Sequence, residues 1–236
     1  MCFTTRLIAE VIFYPPKINN GAGLKYETNS QVPFTGVDFQ YHGNGEVLYR
    51  TGYKNGKMEG PNEMYWDNGR LGMTGNYKDG LRTGPHEIYN SNNGQVSYSF
   101  NFIEGKPDGL FKQYHDGNGQ LRKKWSYKNG KQVGIAEQFN ENGQLTAREN
   151  YIGGKKDGLS EFYNENGQLS VIANYSDGLR SGVVEHYHPN GQLKFKGNYK
   201  DGELDGLMQD YSETGQVTVR LCSKNGKEVE ISLCEM

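Results

Sequence analysis

Residues 163–182 read YNENGQLSVIANYSDGLRSG, and residues 187–206, which begin 24 positions later, read YHPNGQLKFKGNYKDGELDG. Both stretches contain an aromatic residue, an Asn-Gly pair, a leucine two positions after that glycine and a Tyr-x-Asp-Gly turn. Similarity at a fixed interval is typical of repeat proteins, in which each repeat packs against its neighbours. The interval therefore predicts a repeat architecture rather than a single globular core.

Three columns of glycines extend this interval over eight copies. The steps between equivalent glycines are 24 or 25 residues, and two of the columns run from Gly56 to Gly226 and from Gly36 to Gly206. The remaining column, called the first column, consists of Gly45, Gly69, Gly94, Gly119, Gly143, Gly167, Gly191 and Gly215. Glycines at fixed positions between alternating segments indicate tight turns.

The residues between the turns alternate with the period of a β-strand. Leu193, Phe195, Gly197 and Tyr199 occupy alternate positions, with lysine and asparagine between them. A period of two indicates a strand with one apolar and one polar face. We therefore expect two short strands in each repeat, with these apolar columns together on one face.

Side-chain parity predicts the length of the turn that contains the first glycine column. A three-residue loop over residues 67–69, with its glycine in the left-handed conformation, pairs Leu71 with Tyr65, whereas a two-residue loop pairs Leu71 with Trp66. The three-residue loop is preferred because the aliphatic column then faces the aromatic one. The two 25-residue steps carry their extra residue in this loop, within residues 89–94 and 114–119, where an insertion costs little.

These patterns predict an all-β fold: an elongated, single-layer antiparallel sheet of tandem hairpin repeats of ~24 residues, with ~16–18 strands and a right-handed twist. Four regions are expected along the chain. They are a non-repeat segment over residues 1–20, a degenerate capping repeat over 21–44, tandem hairpins over 45–229 and a closing strand over 230–236. Atypical ends agree with the need to cap a repeat array.

The composition excludes two classes of protein. The 236 residues include 17 Tyr and 10 Phe, which are too many aromatic residues for a disordered chain. The formal net charge of −2 gives no basic field that would attract nucleic acid. Cys2, Cys222 and Cys234 are odd in number and lack CxxC spacing, so we expect neither a disulfide framework nor a zinc site.

The most apolar stretch near the start, LIAEVIFY over residues 7–14, is too short to span a membrane. No small-residue cleavage site follows it. We therefore expect a cytoplasmic protein, or an envelope or surface protein if a signal sequence precedes the given start.

The repeat resembles the bacterial variant of the MORN repeat, in which an aromatic residue, Asn-Gly, Lys/Gln-Leu, Tyr-Lys-Asp/Asn-Gly and a further glycine follow one another. Tyr163–Gly182 and Tyr187–Gly206 carry the resemblance, which extends over approximately residues 24–229. It implies a sheet of stacked hairpins and a non-catalytic role in binding or scaffolding. Bacterial proteins of this kind include YwqK-type antitoxins of toxin–antitoxin systems, and others are surface or secreted proteins.

Motifs for catalysis and cofactor binding are absent from the sequence. It contains no GxSxG, HExxH or Walker-type motif. Only His186 and His188, among five histidines, could place two imidazoles on one strand face, and no third metal ligand accompanies them. We therefore predict a protein that is not an enzyme and has no catalytic residue, metal site or cofactor.

Two columns are candidates for a partner-binding face, because parity places both on the aromatic face. They are the glutamates Glu63, Glu87, Glu137, Glu161 and Glu185 and the aromatic residues Tyr65, Tyr89, Tyr114, Phe139, Tyr163, Tyr187 and Tyr211. Cross-strand polar neighbours or tyrosine hydroxyls could satisfy the carboxylates within the sheet. Alternatively, the columns form an acidic, aromatic surface that docks a basic partner or a second copy of the chain.

Lysines recur at the other turn and form a candidate lipid-contacting edge. They are Lys54, Lys78, Lys128, Lys155, Lys200 and Lys224. Lysine is common in any solvated turn, and near anionic lipid each one contributes about 1 kcal/mol. We expect a protein that binds a partner protein, such as a toxin, and neutralises it by covering it. The alternative is a surface or membrane-associated scaffold that contacts lipid through the lysine edge.

Overall fold

The structure, a computed structural model, describes residues 24–234. The described residues form two compact units, which divide between Arg82 and Thr83. Strands dominate both units, and the described residues contain no α-helix, which confirms the all-β fold class. The non-repeat segment predicted for residues 1–20 lies outside the described residues.

The first unit contains four strands: β1 (Gly36–Tyr41), β2 (Val47–Lys54), β3 (Lys57–Tyr65) and β4 (Leu71–Lys78). Each strand pairs antiparallel with the next one. Before β1, an isolated bridge joins Tyr26 to Pro33. The Lys25 N–H donates to the Gly56 carbonyl at 2.7 Å, so this part of the chain packs against the turn between β2 and β3.

The second unit contains fourteen strands. They are β5 (Leu81–Tyr89), β6 (Val96–Ile103), β7 (Lys106–Pro107), β8 (Gly109–Tyr114), β9 (Leu121–Lys128), β10 (Lys131–Phe139), β11 (Leu145–Ile152), β12 (Lys155–Tyr163), β13 (Leu169–Ser176), β14 (Leu179–Tyr187), β15 (Leu193–Lys200), β16 (Glu203–Tyr211), β17 (Val217–Lys224) and β18 (Lys227–Val229). They pair antiparallel in hairpin order, with β7 and β8 together serving as the partner of β6. The predicted tandem hairpins are thus confirmed within each unit.

Two kinds of turn alternate along the chain, and one of them has two residues. Asp201 and Gly202 in the turn between β15 and β16 have φ of 51° and 88°. Asn-Gly and Asp-Gly pairs adopt this conformation most readily, which accounts for their recurrence here. The Gly202 N–H also donates to the Arg180 carbonyl of the preceding repeat at 3.0 Å. This turn therefore joins two repeats, and the turns at Gly130, Gly154, Gly178 and Gly226 do the same.

The other turn is the three-residue loop that parity predicted. Between β14 and β15, the His188 N–H donates to the Gln192 carbonyl at 2.8 Å, and Tyr187 pairs with Leu193. The two longer repeats accommodate their extra residue inside this loop, which is closed by backbone hydrogen bonds from Asn90 to Gln95 and from His115 to Gln120. The flanking strands keep their register.

The prediction that the apolar columns share one face is wrong. Tyr187 pairs with Leu193 whereas His186 pairs with Phe195, so the register shifts by one residue between the two pairs. Lys194 is the extra residue of this β-bulge, and a shift of one residue moves the following side chains to the opposite face. Leu193 therefore lies on the face of Tyr187, and Phe195 lies on the other face. The same shift recurs in the equivalent hairpins.

The two faces of each sheet differ in burial. Val184 is 0% exposed and its neighbour Val183 is 39% exposed, because adjacent strand residues point to opposite faces. The face of Val184, called the buried face, includes Tyr53, Met58 and Met73 in the first unit and Phe100, Phe111, Trp125, Ala136 and Ala173 in the second. The opposite face carries the glutamate and tyrosine columns and is called the Tyr–Glu face.

Aromatic rings on the buried face of the second unit cover one another. Phe111 stacks on Phe100 with ring centroids 5.2 Å apart, and Tyr127 lies 4.8 Å from Phe111 on the other side. Such pairs contribute about 0.5–1.5 kcal/mol each beyond the area they bury. Phe100 and Phe111 are accordingly only 6% and 4% exposed.

The closing strand expected over residues 230–236 is wrong in its described part. Strand β18 ends at Val229, and Ile231–Cys234 form a 3-10 helix that packs against β16 and β17. A disulfide joins Cys234 to Cys222 in β17, with their Cα atoms 5.8 Å apart. The cysteine expectation is corrected accordingly. The alternation of aliphatic and acidic residues after Val229 predicted that the strand continues, whereas the chain reverses its direction there.

Candidate functional site

The glutamate and tyrosine columns form local pairs on the Tyr–Glu face of each unit. A tyrosine O–H donates to the side chain two residues before it in Tyr65–Glu63 (2.9 Å), Tyr89–Glu87 (2.6 Å), Tyr187–Glu185 (2.7 Å) and Tyr211–Gln209 (3.1 Å). Residues two apart on a strand share a face, which explains why the pair recurs. Tyr163 is likewise hydrogen-bonded to Glu161. All residues of the aromatic column also pair with an aliphatic residue of the next strand, as Tyr114, Phe139 and Tyr163 do with Leu121, Leu145 and Leu169.

Basic residues on the neighbouring strands neutralise these carboxylates. Lys196 Nζ lies 2.9 Å from Glu185 Oε1, and the Arg148 guanidinium bridges Glu137 at 3.0 Å and Glu161 at 3.6 Å. Equivalent ion pairs join Arg50 to Glu63 (3.1 Å) and Lys124 to Glu137 (2.6 Å). Four of the five glutamates therefore have a basic partner on a neighbouring strand, whereas Glu87 lies opposite Ser99 and has no ion pair with a described residue.

The pKa values of these groups follow from the pairing. The hydrogen bond from Tyr187 and then that from Lys196 lower the pKa of Glu185, and the same carboxylate raises the pKa of Tyr187 to about 12. Hydrogen bonds from Lys124 and from Arg148 lower the pKa of Glu137. The carboxylates are thus satisfied within the sheet. Docking of a basic partner on these columns stays a prediction.

The six lysines of the candidate lipid edge all lie at two-residue turns and are exposed. Lys128 lies 3.2 Å from Asp108, and Lys155 lies 2.7 Å from Asp177. No ion pair joins any of the other four, Lys54, Lys78, Lys200 and Lys224, to a described residue. These four side chains therefore extend into solvent with uncompensated charge.

His186 and His188, the only two histidines that could have shared a strand face, each have a contact within the sheet. The His186 ring lies 5.1 Å from the Phe195 ring on the buried face, while His188 Nε2 donates to the Tyr211 carbonyl at 2.9 Å. Because a carbonyl only accepts, this nitrogen carries the proton. Among residues 24–234, no group of three His, Cys, Asp or Glu side chains is placed to hold a metal ion. The same residues include no helix that is long and apolar enough to cross a membrane.

Sequence reasoning missed a row of exposed aliphatic side chains on the Tyr–Glu face of the second unit. This aliphatic row consists of Leu110 (47% exposed), Ile135 (54%), Leu159 (36%) and Val183 (39%). Each residue directly follows a glycine of the column that runs from Gly36 to Gly206, so the pattern is visible in the sequence.

Comparison with known protein families identifies the repeat. Four consecutive segments of the second unit, residues 107–129, 132–152, 156–177 and 180–201, match the MORN repeat variant. No significant match to a curated protein was found. Repeats of this kind are non-catalytic modules that bind proteins or lipids. The matched segments contain all four residues of the aliphatic row.

Proposed function

We propose that this protein binds a partner protein and acts by covering it, without chemistry of its own, as an antitoxin or immunity protein does. The aliphatic row supports the proposal most strongly. Four exposed aliphatic side chains recur on alternate strands of one face, and exposed apolar surface on a folded protein is a candidate interaction site. Their regular spacing gives an extended contact rather than a pocket.

The antitoxin form of the proposal rests on the resemblance of the repeat to proteins of toxin–antitoxin systems. A protein that inhibits by covering its partner benefits from a surface that is already ordered before binding, because less conformational entropy is then lost. The turns of this chain meet that need. Gly178 and Gly202, for example, each donate a backbone hydrogen bond to the preceding repeat, at 2.8 and 3.0 Å.

Affinity capture tests the proposal. The full chain is immobilised and exposed to lysate of its native host at moderate salt, and co-purifying proteins are quantified by mass spectrometry against an unrelated immobilised protein. We expect one protein in stoichiometric amount. Expression of that protein alone should arrest growth, and co-expression of the chain should restore it. Absence of any stoichiometric protein would contradict the proposed function, and a captured protein that is harmless would contradict its antitoxin form.

A second candidate function is contact with anionic lipid through the lysine edge. It is favoured by the exposure of Lys54, Lys78, Lys200 and Lys224 without an ion pair among the described residues. Sedimentation with vesicles that contain phosphatidylserine should then exceed sedimentation with phosphatidylcholine vesicles. The double substitution Lys200→Glu and Lys224→Glu should reduce it, and Lys194→Glu, which changes an exposed lysine away from the two-residue turns, serves as the control.

A further inference from the structure

We propose that two Asn-Gly pairs in neighbouring three-residue loops, Asn142-Gly143 and Asn166-Gly167, are sites of spontaneous covalent modification, at which the asparagine deamidates to aspartate and isoaspartate. The inference goes beyond the proposed function, because the reaction needs no partner protein. It rests on a contrast within the chain. Asn44 and Asn190 also precede a glycine in a three-residue loop, but hydrogen bonds hold their side chains.

The reaction requires an asparagine side chain that is free to turn towards the backbone nitrogen of the next residue. That nitrogen loses its proton and forms a bond to Cγ, the bond between Cγ and Nδ2 breaks, and the amide leaves with the proton as ammonia. Water then opens the cyclic succinimide at either carbonyl, so the net change is the exchange of ammonia for water. Glycine favours the attack because it has no side chain to obstruct its nitrogen.

The loops of Asn166 and Asn190 have the same backbone conformation. The glycine N–H donates to the carbonyl three residues earlier, at 2.9 Å from Gly167 and at 2.8 Å from Gly191, and these glycines have φ of 77° and 84°. Both asparagines are exposed. Backbone geometry and access to water therefore do not distinguish them. The two-residue turns are not comparable, because they place the asparagine itself at positive φ, as at Asn129 (50°).

Two hydrogen bonds fix the side chain of Asn190. Its Nδ2 donates to the Glu213 carbonyl of the next repeat at 2.9 Å, and its Oδ1 accepts the Gln192 N–H at 3.0 Å. Asn44 forms the same two kinds of hydrogen bond. Both bonds must break before the side chain can turn and its amide can leave, so these residues should react slowly.

The side chain of Asn166 lacks these bonds because another asparagine caps its loop. Asn164 Oδ1 accepts the N–H of Asn166 at 2.9 Å and that of Gln168 at 3.0 Å. The Gln168 N–H is the equivalent of the one that Asn190 binds, and it is already occupied. The Asn166 side chain accordingly forms no hydrogen bond with a described residue and is free to turn.

The residue that precedes the loop thus decides whether the asparagine is held. Asn140 caps the loop of Asn142 in the same way, and the Asn142 side chain also forms no hydrogen bond with a described residue. Histidine stands at this place before Asn44 and Asn190. Histidine leaves the N–H of the loop to the asparagine, which explains why the two kinds of loop differ.

The modification changes the charge of one edge of the sheet in the second unit. Both sites lie in consecutive segments that match the MORN repeat variant, residues 132–152 and 156–177. Each event replaces a neutral amide with a carboxylate. Isoaspartate also lengthens the backbone of the loop by one carbon atom, because the chain then passes through Cβ and Cγ. This edge therefore becomes more acidic as the protein ages.

Peptide mapping of the full chain measures each site separately, because trypsin leaves each of the four asparagines in its own peptide with a single Asn-Gly pair. The protein is incubated in mildly alkaline buffer, digested at intervals and analysed by mass spectrometry, with a digest at zero time to correct for deamidation during digestion. We expect Asn142 and Asn166 to deamidate about tenfold faster than the other two, since two hydrogen bonds hold each of the latter.

A reciprocal pair of substitutions tests the cause. Asn164→His gives the loop of Asn166 the residue that precedes Asn190, and it should slow deamidation at Asn166 about tenfold. His188→Asn makes the converse change and should accelerate deamidation at Asn190 by a similar factor. Both variants should fold, since each residue occurs at this place in another repeat. The control Glu165→Gln changes the same loop without removing a hydrogen bond and should leave the rate at Asn166 unchanged.

Equal rates at the four asparagines of the folded chain would overturn the inference, as would unchanged rates in both reciprocal variants. The same incubation in urea completes the test. In the unfolded chain the four rates should converge, because no loop then holds any side chain. A difference that persists in urea would show that neighbouring residues in the sequence set the rates, and the structural assignment would fail.

Discussion

The side-chain amide of Asn190 donates from Nδ2 to the backbone carbonyl of Glu213 at 2.9 Å and so joins the three-residue turns of two successive repeats. Its Oδ1 accepts the N–H of Gln192 within its own turn at 3.0 Å. Asn44 and Asn118 form the same two kinds of hydrogen bond in their repeats. The asparagine that precedes the turn glycine therefore shapes its own turn and also connects neighbouring repeats.

The substitution Asn190→Asp should test this connection. Aspartate keeps the acceptor for Gln192 but places a carboxylate against the carbonyl of Glu213, which has no proton to share. We expect the free energy of unfolding to fall by about 1 kcal/mol at pH 7, as measured by urea denaturation.

The chain supplies a matched control, Asn166→Asp. Asn166 occupies the same place in its turn, but its side chain forms no hydrogen bond with a described residue, because Asn164 caps that turn instead. The control should change stability by less than about 0.5 kcal/mol. Equal losses from both substitutions would mean that the inter-repeat hydrogen bond contributes nothing.

Val183 and Val184 allow the assignment of the two faces to be tested with one type of substitution. Val184→Ala removes two methyl groups from a side chain that is 0% exposed, and we expect it to lower the free energy of unfolding by about 2 kcal/mol. Val183→Ala, at a side chain that is 39% exposed, should cost less than about 0.5 kcal/mol. Thermal and urea denaturation of both variants would settle the order, and the reverse order would refute the assignment.

Much of this fold is readable from the sequence because the turns depend on local chemistry. Asp201-Gly202 adopts positive φ at both residues, which few other pairs tolerate, so the pair predicts a two-residue turn wherever it recurs. Parity between Tyr187 and Leu193 likewise predicts the three-residue loop, since only one loop length matches the aliphatic column to the aromatic one. The Glu-x-Tyr pairs were foreseen as one of two alternatives for the same reason.

The bulge at Lys194 could not be predicted from the sequence, because the extra residue of a bulge does not interrupt the alternation of apolar and polar residues. The pattern of Leu193 and Phe195 is the same whether both side chains share a face or a register shift separates them. Because the bulge was not predicted, the aliphatic row was not recognised in the sequence. The disulfide of Cys222 was not predicted for a related reason. It depends on a reversal of the chain after Val229, and no glycine, proline or other typical turn residue marks that reversal in the sequence.

The pair Glu185 and Tyr187 predicts how stability depends on pH. The folded pKa of Glu185 is lowered, so its stabilising contribution is present above the unfolded value of about 4.3 and is lost as pH falls through the folded pKa. The pKa of Tyr187 is raised to about 12, so its contribution is present below about pH 10 and is lost as pH rises towards 12. In the Glu185→Gln variant, the melting temperature should therefore depend less on pH below pH 4.5. The decrease of the melting temperature above pH 10 should also be smaller than in the parent.

Tyr187→Phe completes the comparison. It removes the loss above pH 10 that belongs to the tyrosine and, because the hydrogen bond to Glu185 disappears, also weakens the acid dependence. Both variants should fold, since Tyr211 already pairs with the neutral Gln209 in the last repeat at 3.1 Å. Melting curves from pH 2 to 11 measure the effect. If the melting temperatures of the parent and of Glu185→Gln depend on pH in the same way below pH 4.5, the Glu185 carboxylate does not contribute to the acid dependence of stability.

Reduction of the disulfide between Cys222 and Cys234 should loosen the last repeat and leave distant ones unchanged. The bond closes a short loop, because the two cysteines are 12 positions apart in the sequence, and such loops contribute about 3 kcal/mol at most. In a repeat protein each repeat contacts only its neighbours, so the loss stays local. Hydrogen exchange followed by mass spectrometry, with and without reductant, should show at least tenfold faster exchange in β17 and β18 and less than twofold change in β12 and β13. A Cys2→Ser background removes the third thiol.

Uniformly faster exchange throughout the second unit would instead show that this unit unfolds as one cooperative body. Unchanged exchange in β17 would show that packing alone holds the 3-10 helix over Cys222.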